Sequence, residues 1–139
     1  MDTLKLKQAI LGGLAATIAM TMVMFVAPMM RMPDMKIGNM LASFMAMPLW
    51  TGWLMHLMAG LIWATGYVFF VKERLSVNYA LKGMVFALAL WLLMQVMAMP
   101  MMGLGIFSSK SADQMQMVAG TLIGHLVYGI VLGIATKAN

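Results

Sequence analysis

The chain has 139 residues, of which 63% are hydrophobic and 9% are charged, and its mean hydropathy is +0.92. This composition lacks the charged surface of a soluble domain and predicts an integral membrane protein. There is no cysteine, which excludes disulfides, thiolate metal sites and cysteine nucleophiles. The net charge of +5 does not indicate nucleic-acid binding, because the basic residues stand singly or in twos at the ends of apolar runs.

Four apolar runs are each long enough to cross a hydrocarbon core of about 30 Å. They cover about residues 9–30, 49–71, 83–102 and 113–136. Between the first two runs, apolar residues recur at helical spacing and predict a short amphipathic helix over about 34–46, lying at the membrane surface or turned back toward the bundle. The predicted fold class is therefore all-α: a membrane four-helix bundle forming one domain, residues 1–139.

Helix ends are signalled by a few polar or cyclic residues. Pro28 and Pro100 lie near the ends of the first and third runs and predict a kink or a stop there. The segment Ser111-Ala-Asp-Gln114 has the spacing of a capping box and predicts the start of the fourth span.

The distribution of Lys and Arg predicts the orientation. Six basic residues flank the ends that share a side with the termini, and three lie in the first and third connections. The six are Lys5, Lys7, Lys72, Arg74, Lys82 and Lys137; the three are Arg31, Lys36 and Lys110. Because basic residues are retained in the cytoplasm, both termini are predicted to be cytoplasmic.

Two similar segments indicate a tandem repeat of two-helix hairpins, with halves of about residues 1–72 and 73–139. His56 has Gly52 four residues before it, Gly60 four after and Ala64 eight after; His125 has Thr121, Gly129 and Gly133 at the same offsets. On a helix these offsets share one face, so each copy predicts a histidine set in a packing strip of small residues.

The two histidines are the only ones in the chain, and an ionisable residue within a span is a functional hypothesis. One interpretation is that each neutral imidazole bonds a hydroxyl or carbonyl on a neighbouring helix. Another is that His56 and His125 together bind haem b as axial ligands, with bare glycine backbone where the macrocycle would lie.

Methionine is abundant and one-sided. Of 21 methionines, twelve fall between Met20 and Met58 and seven between Met94 and Met117, at mid-membrane or toward the side away from the termini. Thioethers suit Cu(I) or Ag(I), with imidazole as a compatible partner. The candidate copper ligands are Met29, Met30, Met32, Met35, Met99, Met101 and Met102, with His56 behind them. The competing interpretation is flexible packing or an adaptable docking surface.

Enzyme chemistry is poorly supported. The four acidic residues, Asp2, Asp34, Glu73 and Asp113, all fall in termini or connections, so no carboxylate is available to a histidine within the bundle. No Gly-rich phosphate loop of recognised spacing occurs.

Five short motifs together resemble a family of small uncharacterised bacterial membrane proteins filed as a domain of unknown function. The motifs are Gly12-Gly-Leu-Ala-Ala-Thr17, Ala27-Pro-Met-Met30, Gly52-Trp-Leu-Met-His56, Met99-Pro-Met-Met-Gly103-Leu-Gly105, and Gly124-His-Leu-Val-Tyr-Gly129 with Leu132-Gly133. The resemblance covers nearly the whole chain. It implies a four-span fold in the cytoplasmic (inner) membrane of a bacterium, with both histidines in the family pattern, and it implies no activity or cofactor.

The leading functional expectation is a non-enzymatic accessory protein or small subunit of a larger membrane assembly. Its environment is the lipid bilayer, and its expected partner is another membrane protein or a second copy of itself. The alternatives are a Cu(I)- or Ag(I)-binding or transport protein and an electron-transfer subunit carrying haem b.

Overall fold

The computed structural model describes residues 2–137, which are helical without any strand. Four helices are long and apolar enough to cross a membrane: α1 (Thr3–Met30), α3 (Leu49–Val71), α4 (Tyr79–Met101) and α5 (Gln114–Ala135). A short helix, α2 (Ile37–Phe44), lies between α1 and α3. The all-α fold class is confirmed, and the chain is a multi-pass membrane protein. Residue 1 and residues 138–139, the end of the second predicted repeat half, lie outside the described residues.

Polar side chains just before α1 and α4 extend these helices beyond their apolar cores. The Asp2 carboxylate accepts a hydrogen bond from the Leu4 amide at 3.1 Å, so α1 starts ahead of the apolar run that begins near residue 9. The Asn78 side chain accepts from the Leu81 amide at 2.8 Å, so α4 also starts early. Such caps stabilise the free amides of a first helical turn.

Helix α5 begins at Gln114 without the capping box suggested by its sequence. Asp113 occupies the cap position but makes no side-chain cap bond. The Ser111 hydroxyl instead accepts from the Asp113 amide at 3.4 Å, which is a local turn rather than a cap.

The two prolines act differently. After Pro28, α1 tightens into a 3-10 turn over Ala27–Met30 and ends at Arg31, which has φ 62°. Pro100 stays within α4, and the helix widens into a π turn over Met94–Ala98 just before it. Proline lacks the amide that would close the preceding turn, and a π turn is one way for a helix to accommodate that loss.

In space the long helices follow the order α3, α1, α5, α4. Helix α1 packs against α3 and α5, and α5 packs against α4, whereas the main contact between α3 and α4 lies where α3 ends. Burial agrees with this order: 39% of the most apolar stretch is buried in α1 and in α5, against 17% in α3 and 22% in α4. The bundle therefore has two central helices and two edge helices, with a gap between the edges.

Contacts at one end of the bundle bring both ends of the described chain together. The Lys5 ammonium pairs with the Glu73 carboxylate at 2.9 Å, which joins the start of α1 to the α3–α4 connection. Thr136, just after α5, lies against Gly12 of α1. We call this the terminal end, and the opposite one the distal end.

At the distal end, α2 folds back onto the bundle. The Gly38 carbonyl of α2 lies so close to Gly52 of α3 that a methyl group at position 52 would overlap it. The chain around α2 also contributes to a small apolar cluster with the start of α5. This cluster, which we call the distal methionine cluster, comprises Ala27, Met32, Met35, Met40, Leu104 and Met117.

Candidate functional site

A cavity of about 370 Å³ occupies the gap between the edge helices. Its lining comes from all four long helices and from the segment around α2. Several lining residues of α3 and α4 are themselves exposed, including Trp63 at 40%, Met97 at 56% and Met101 at 66% of their surface. Because these residues belong to both edge helices, the cavity opens sideways, toward the bilayer.

The cavity wall is apolar and rich in methionine. The nine methionines in the lining are Met20, Met24, Met35, Met40, Met94, Met97, Met99, Met101 and Met117. Its polar side chains are His56, His125, Thr17, Thr121 and Tyr128, and no Lys, Arg, Asp or Glu of the described residues lines it. An apolar pocket with a few convergent polar groups is typical of a small-molecule site.

His56 enters the cavity from α3 and is held by α1. Its Nε2 lies 3.2 Å from the Thr21 hydroxyl, which itself donates to the Thr17 carbonyl at 2.7 Å. Since that hydroxyl has one proton, already donated, its oxygen accepts from Nε2–H of His56. The neutral ring therefore carries its proton on Nε2 and leaves Nδ1 as a free acceptor.

His125 enters the same cavity from α5. Its Nδ1 lies 2.8 Å from the Thr121 carbonyl oxygen, one turn earlier on the same helix. A carbonyl oxygen only accepts, so Nδ1 carries the proton and Nε2 of the neutral ring is a free acceptor. The structure thus brings the two histidines to one cavity with opposite tautomers.

Neither free ring nitrogen is sealed inside the protein. Within residues 2–137 the buried polar atoms that lack a partner are Tyr67 Oη, Gln95 Oε1 and Ser108 Oγ, and no histidine nitrogen is among them. Thr21 lines a shallow groove on the outer side of α1 and α3 rather than the cavity, so the bonded nitrogen of His56 is directed to that groove. To ligate haem, His56 would have to offer Nδ1. This is the ring nitrogen nearer to Cβ, so the histidine's own Cβ would crowd a flat macrocycle there.

A polar network behind His125 was not found from the sequence. The Thr121 hydroxyl accepts from Gln95 Nε2 at 2.9 Å and from Trp91 Nε1 at 3.2 Å, both on α4. This ties the turn that holds His125 to the neighbouring helix. A signal was available, because Gln95 is a polar amide in the middle of an apolar span, and such residues commonly bond across helices.

Tyr128 is a second residue that the sequence did not single out. It lies one turn after His125, is buried, and its hydroxyl donates to the Gly60 carbonyl at 2.7 Å. This bond crosses from α5 to α3. The bond joins the segment of α5 that carries His125 to the segment of α3 that carries His56, on the side of the cavity nearer the terminal end.

The glycines of the two strips contact different neighbours. Gly52 lies against α2, and Gly60 lies against Thr17 of α1. Gly129 and Gly133 lie against backbone of α4, at Gly83 and Tyr79 respectively. The strips are therefore close-approach surfaces: the one around His56 contacts α2 and α1, and the one around His125 contacts α4.

The seven candidate metal methionines divide into three groups. Met35, Met99 and Met101 line the cavity, and Met32 packs beside Met35 in the distal methionine cluster. Met102 is half-buried outside the lining. Met29 and Met30 are 83% and 71% exposed and belong neither to the cavity lining nor to the distal methionine cluster.

The chain belongs to a family of unknown function, DUF6789, whose sequence profile matches residues 4–138. No curated protein and no solved structure matches the chain.

Proposed function

For this member of a family without an assigned activity, we propose a non-enzymatic membrane protein that binds a lipid-soluble small molecule between α3 and α4. The carrying observation is the cavity of about 370 Å³ that opens sideways and contains both histidines. Its volume falls within the range of small-molecule pockets, about 300 to 1,000 Å³.

The location of the opening favours a ligand that arrives through the bilayer. Lipid tails are as apolar as the cavity wall, so apolar contact alone gives little preference for the protein over the membrane. Selection then rests on the polar groups in the wall that keep a free hydrogen-bonding atom, namely His56 and His125. A ligand with an apolar body and a polar head fits this arrangement.

The absence of charged side chains among the described residues of the wall limits the kinds of head group that the cavity can bind. No cationic side chain of the described residues lines the cavity, and burying an unpaired charge is costly. An uncharged head is therefore favoured over a phosphate or a carboxylate. The acidic residues Asp2, Asp34, Glu73 and Asp113 are also absent from the wall, which supports binding rather than acid–base catalysis.

We propose that this binding protein lies in the bacterial cytoplasmic membrane, as the family resemblance implies, with both termini inside, as the six-to-three distribution of basic residues predicts. An accessory role follows if the bound molecule is passed to or withheld from another membrane protein. The exposed Met29 and Met30 at the distal end supply an adaptable surface for such a partner or for a second copy.

The test is native mass spectrometry of the protein released from nanodiscs, comparing wild type with Gly124→Leu. Gly124 lines the cavity, and a Cβ there meets only Met20, at 3.6 Å, so the larger side chain fills the cavity rather than a helix contact. The matched control is Gly66→Leu on α3, where a Cβ meets nothing within 4 Å.

We expect wild type and Gly66→Leu to retain a small molecule that Gly124→Leu loses while still folding. Equal retention by all three proteins, or no retained molecule after addition of membrane lipid extract, would refute the proposal.

A second candidate is Cu(I) or Ag(I) binding, favoured by nine thioethers and two free imidazole nitrogens around one cavity. Metal analysis after Cu(I) loading tests it. We expect Met35→Leu with Met99→Leu to lower the bound copper, whereas Met29→Leu with Met30→Leu, at exposed positions, should leave it unchanged. If both pairs behave alike, the cavity is not the copper site.

A further inference from the structure

We infer that the ligand is a lipid-soluble hydroquinone, held by its two hydroxyl groups between Nδ1 of His56 and Nε2 of His125. This inference rests on the proposed function and specifies the chemistry of its ligand.

The first step is the hydrogen-bonding character of the two rings. The Thr121 carbonyl holds the proton of His125 on Nδ1, and the Thr21 oxygen holds that of His56 on Nε2. Both rings therefore present a lone pair to a ligand. Two acceptors in an apolar cavity favour a molecule with two donors.

The second step is the environment of those acceptors. Water is scarce inside a bilayer, so an acceptor on the cavity wall that lacks a partner is unfavourable. A ligand with two O–H groups satisfies both nitrogens. An oxidised quinone offers only carbonyl oxygens, so it would place two acceptors against two acceptors.

The third step is the residue composition of the cavity wall. Methionine sulfurs make favourable contacts with aromatic rings, and nine methionines, together with Trp63 and Tyr128, surround the cavity. A flat aromatic ring uses these contacts better than the flexible glycerol head of a monoacylglycerol, which also carries two hydroxyls.

The two tautomer locks differ in strength. The Thr121 carbonyl cannot become a donor, so the lock on His125 is fixed. The Thr21 hydroxyl could rotate and donate to His56 if it gave up its bond to the Thr17 carbonyl. Thr21 is thus a positioning residue, and removing its hydroxyl should weaken the preference for the reduced ligand more than binding itself.

The experiment measures binding of decylubiquinol and of decylubiquinone to the full chain in nanodiscs, with empty nanodiscs of the same lipid as the blank. We expect wild type to bind the quinol at least about tenfold more tightly than the quinone, which raises the midpoint potential of the bound couple by about 30 mV. This comparison needs no variant.

Three substitutions sharpen it. His125→Phe and His56→Phe keep an aromatic ring and remove one acceptor, so each should weaken quinol binding about tenfold and leave quinone binding nearly unchanged. Thr21→Val keeps the shape of the side chain and should reduce the quinol-to-quinone ratio toward unity.

Equal or tighter binding of the quinone would overturn the inference. So would binding of monoolein in place of both quinone forms, although the proposed function would then survive. If no lipid-soluble probe binds, both proposals fail.

Discussion

The seam between α4 and α5 and the gap between α3 and α4 show two outcomes of similar apolar helices. At the seam, Gly83 of α4 faces Gly129 of α5 so closely that a methyl group on either would overlap the other's backbone. Across the gap, α3 and α4 share no such contact, and a cavity lies between them. Close packing in a membrane needs small residues on both helices, since no hydrophobic force drives two apolar helices together.

The glycines of α3 are used elsewhere, which explains why the gap stays open. Gly52 receives α2 and Gly60 receives α1. What α3 turns toward α4 includes the larger side chains of His56 and Trp63. A strip of small residues therefore predicts a contact surface but does not identify the helix that packs against it.

The largest expected effect comes from breaking the seam. Gly129→Leu would force α4 and α5 apart, because the added side chain overlaps the Gly83 carbonyl and Ala87. Overpacking commonly costs about 1–3 kcal/mol, and backbone overlap puts this variant at or above the upper end. Thermal denaturation followed by size-exclusion chromatography should show a large loss of folded protein, with Gly66→Leu close to wild type. Equal stability of the two variants would show that the seam is not closely packed.

A smaller effect is expected at the bond that joins the two sides of the cavity. Tyr128→Phe removes the hydroxyl that donates to the Gly60 carbonyl at 2.7 Å and leaves the ring in place. We expect a loss of about 1 kcal/mol in the free energy of unfolding. The same denaturation assay measures it, and an unchanged or raised melting temperature would contradict the contribution assigned to this bond.

Much of the fold was predictable from the sequence, and the reason is physical. Spanning a membrane requires long apolar runs, and these runs predicted the four long helices. Apolar residues at helical spacing also predicted the short helix at Ile37–Phe44. The early starts of α1 and α4 depend on the Asp2 and Asn78 side chains, whose caps lie outside the apolar runs. The tandem repeat and the orientation of the termini remain predictions.

The candidate site was predictable only in part. The sequence indicated His56 and His125, but which helices border them depends on tertiary packing. Gln95 was not predicted as a site residue, because a neutral amide in an apolar span does not show which residue of another helix it bonds. Met29, which follows Pro28, is 83% exposed, whereas Met99, which precedes Pro100, is 1% exposed; this difference depends on tertiary packing and not on residue type.

The smallest effect is expected far from both regions, at the terminal end. Lys5 bonds to Glu73 and lowers the pKa of that carboxyl below its ordinary value of 4.5. A lowered pKa in the folded state contributes stability above the unfolded pKa, and that contribution is lost as pH falls through the folded pKa. The Glu73 side chain is 69% exposed, so Glu73→Gln should leave the melting temperature at pH 7 nearly unchanged. A drop of many degrees in the variant would show that this pair holds the bundle together.

The most direct test is the accessibility of a spin label attached at Gly124→Cys, in a chain that contains no other cysteine. If the cavity opens to the bilayer, collisions with oxygen dissolved in the lipid should relax this label nearly as well as one at Gly66→Cys, while a water-soluble nickel chelate should relax neither. A label at position 124 that is immobile and shielded from oxygen would contradict the open cavity and, with it, the proposed binding of a lipid-soluble molecule.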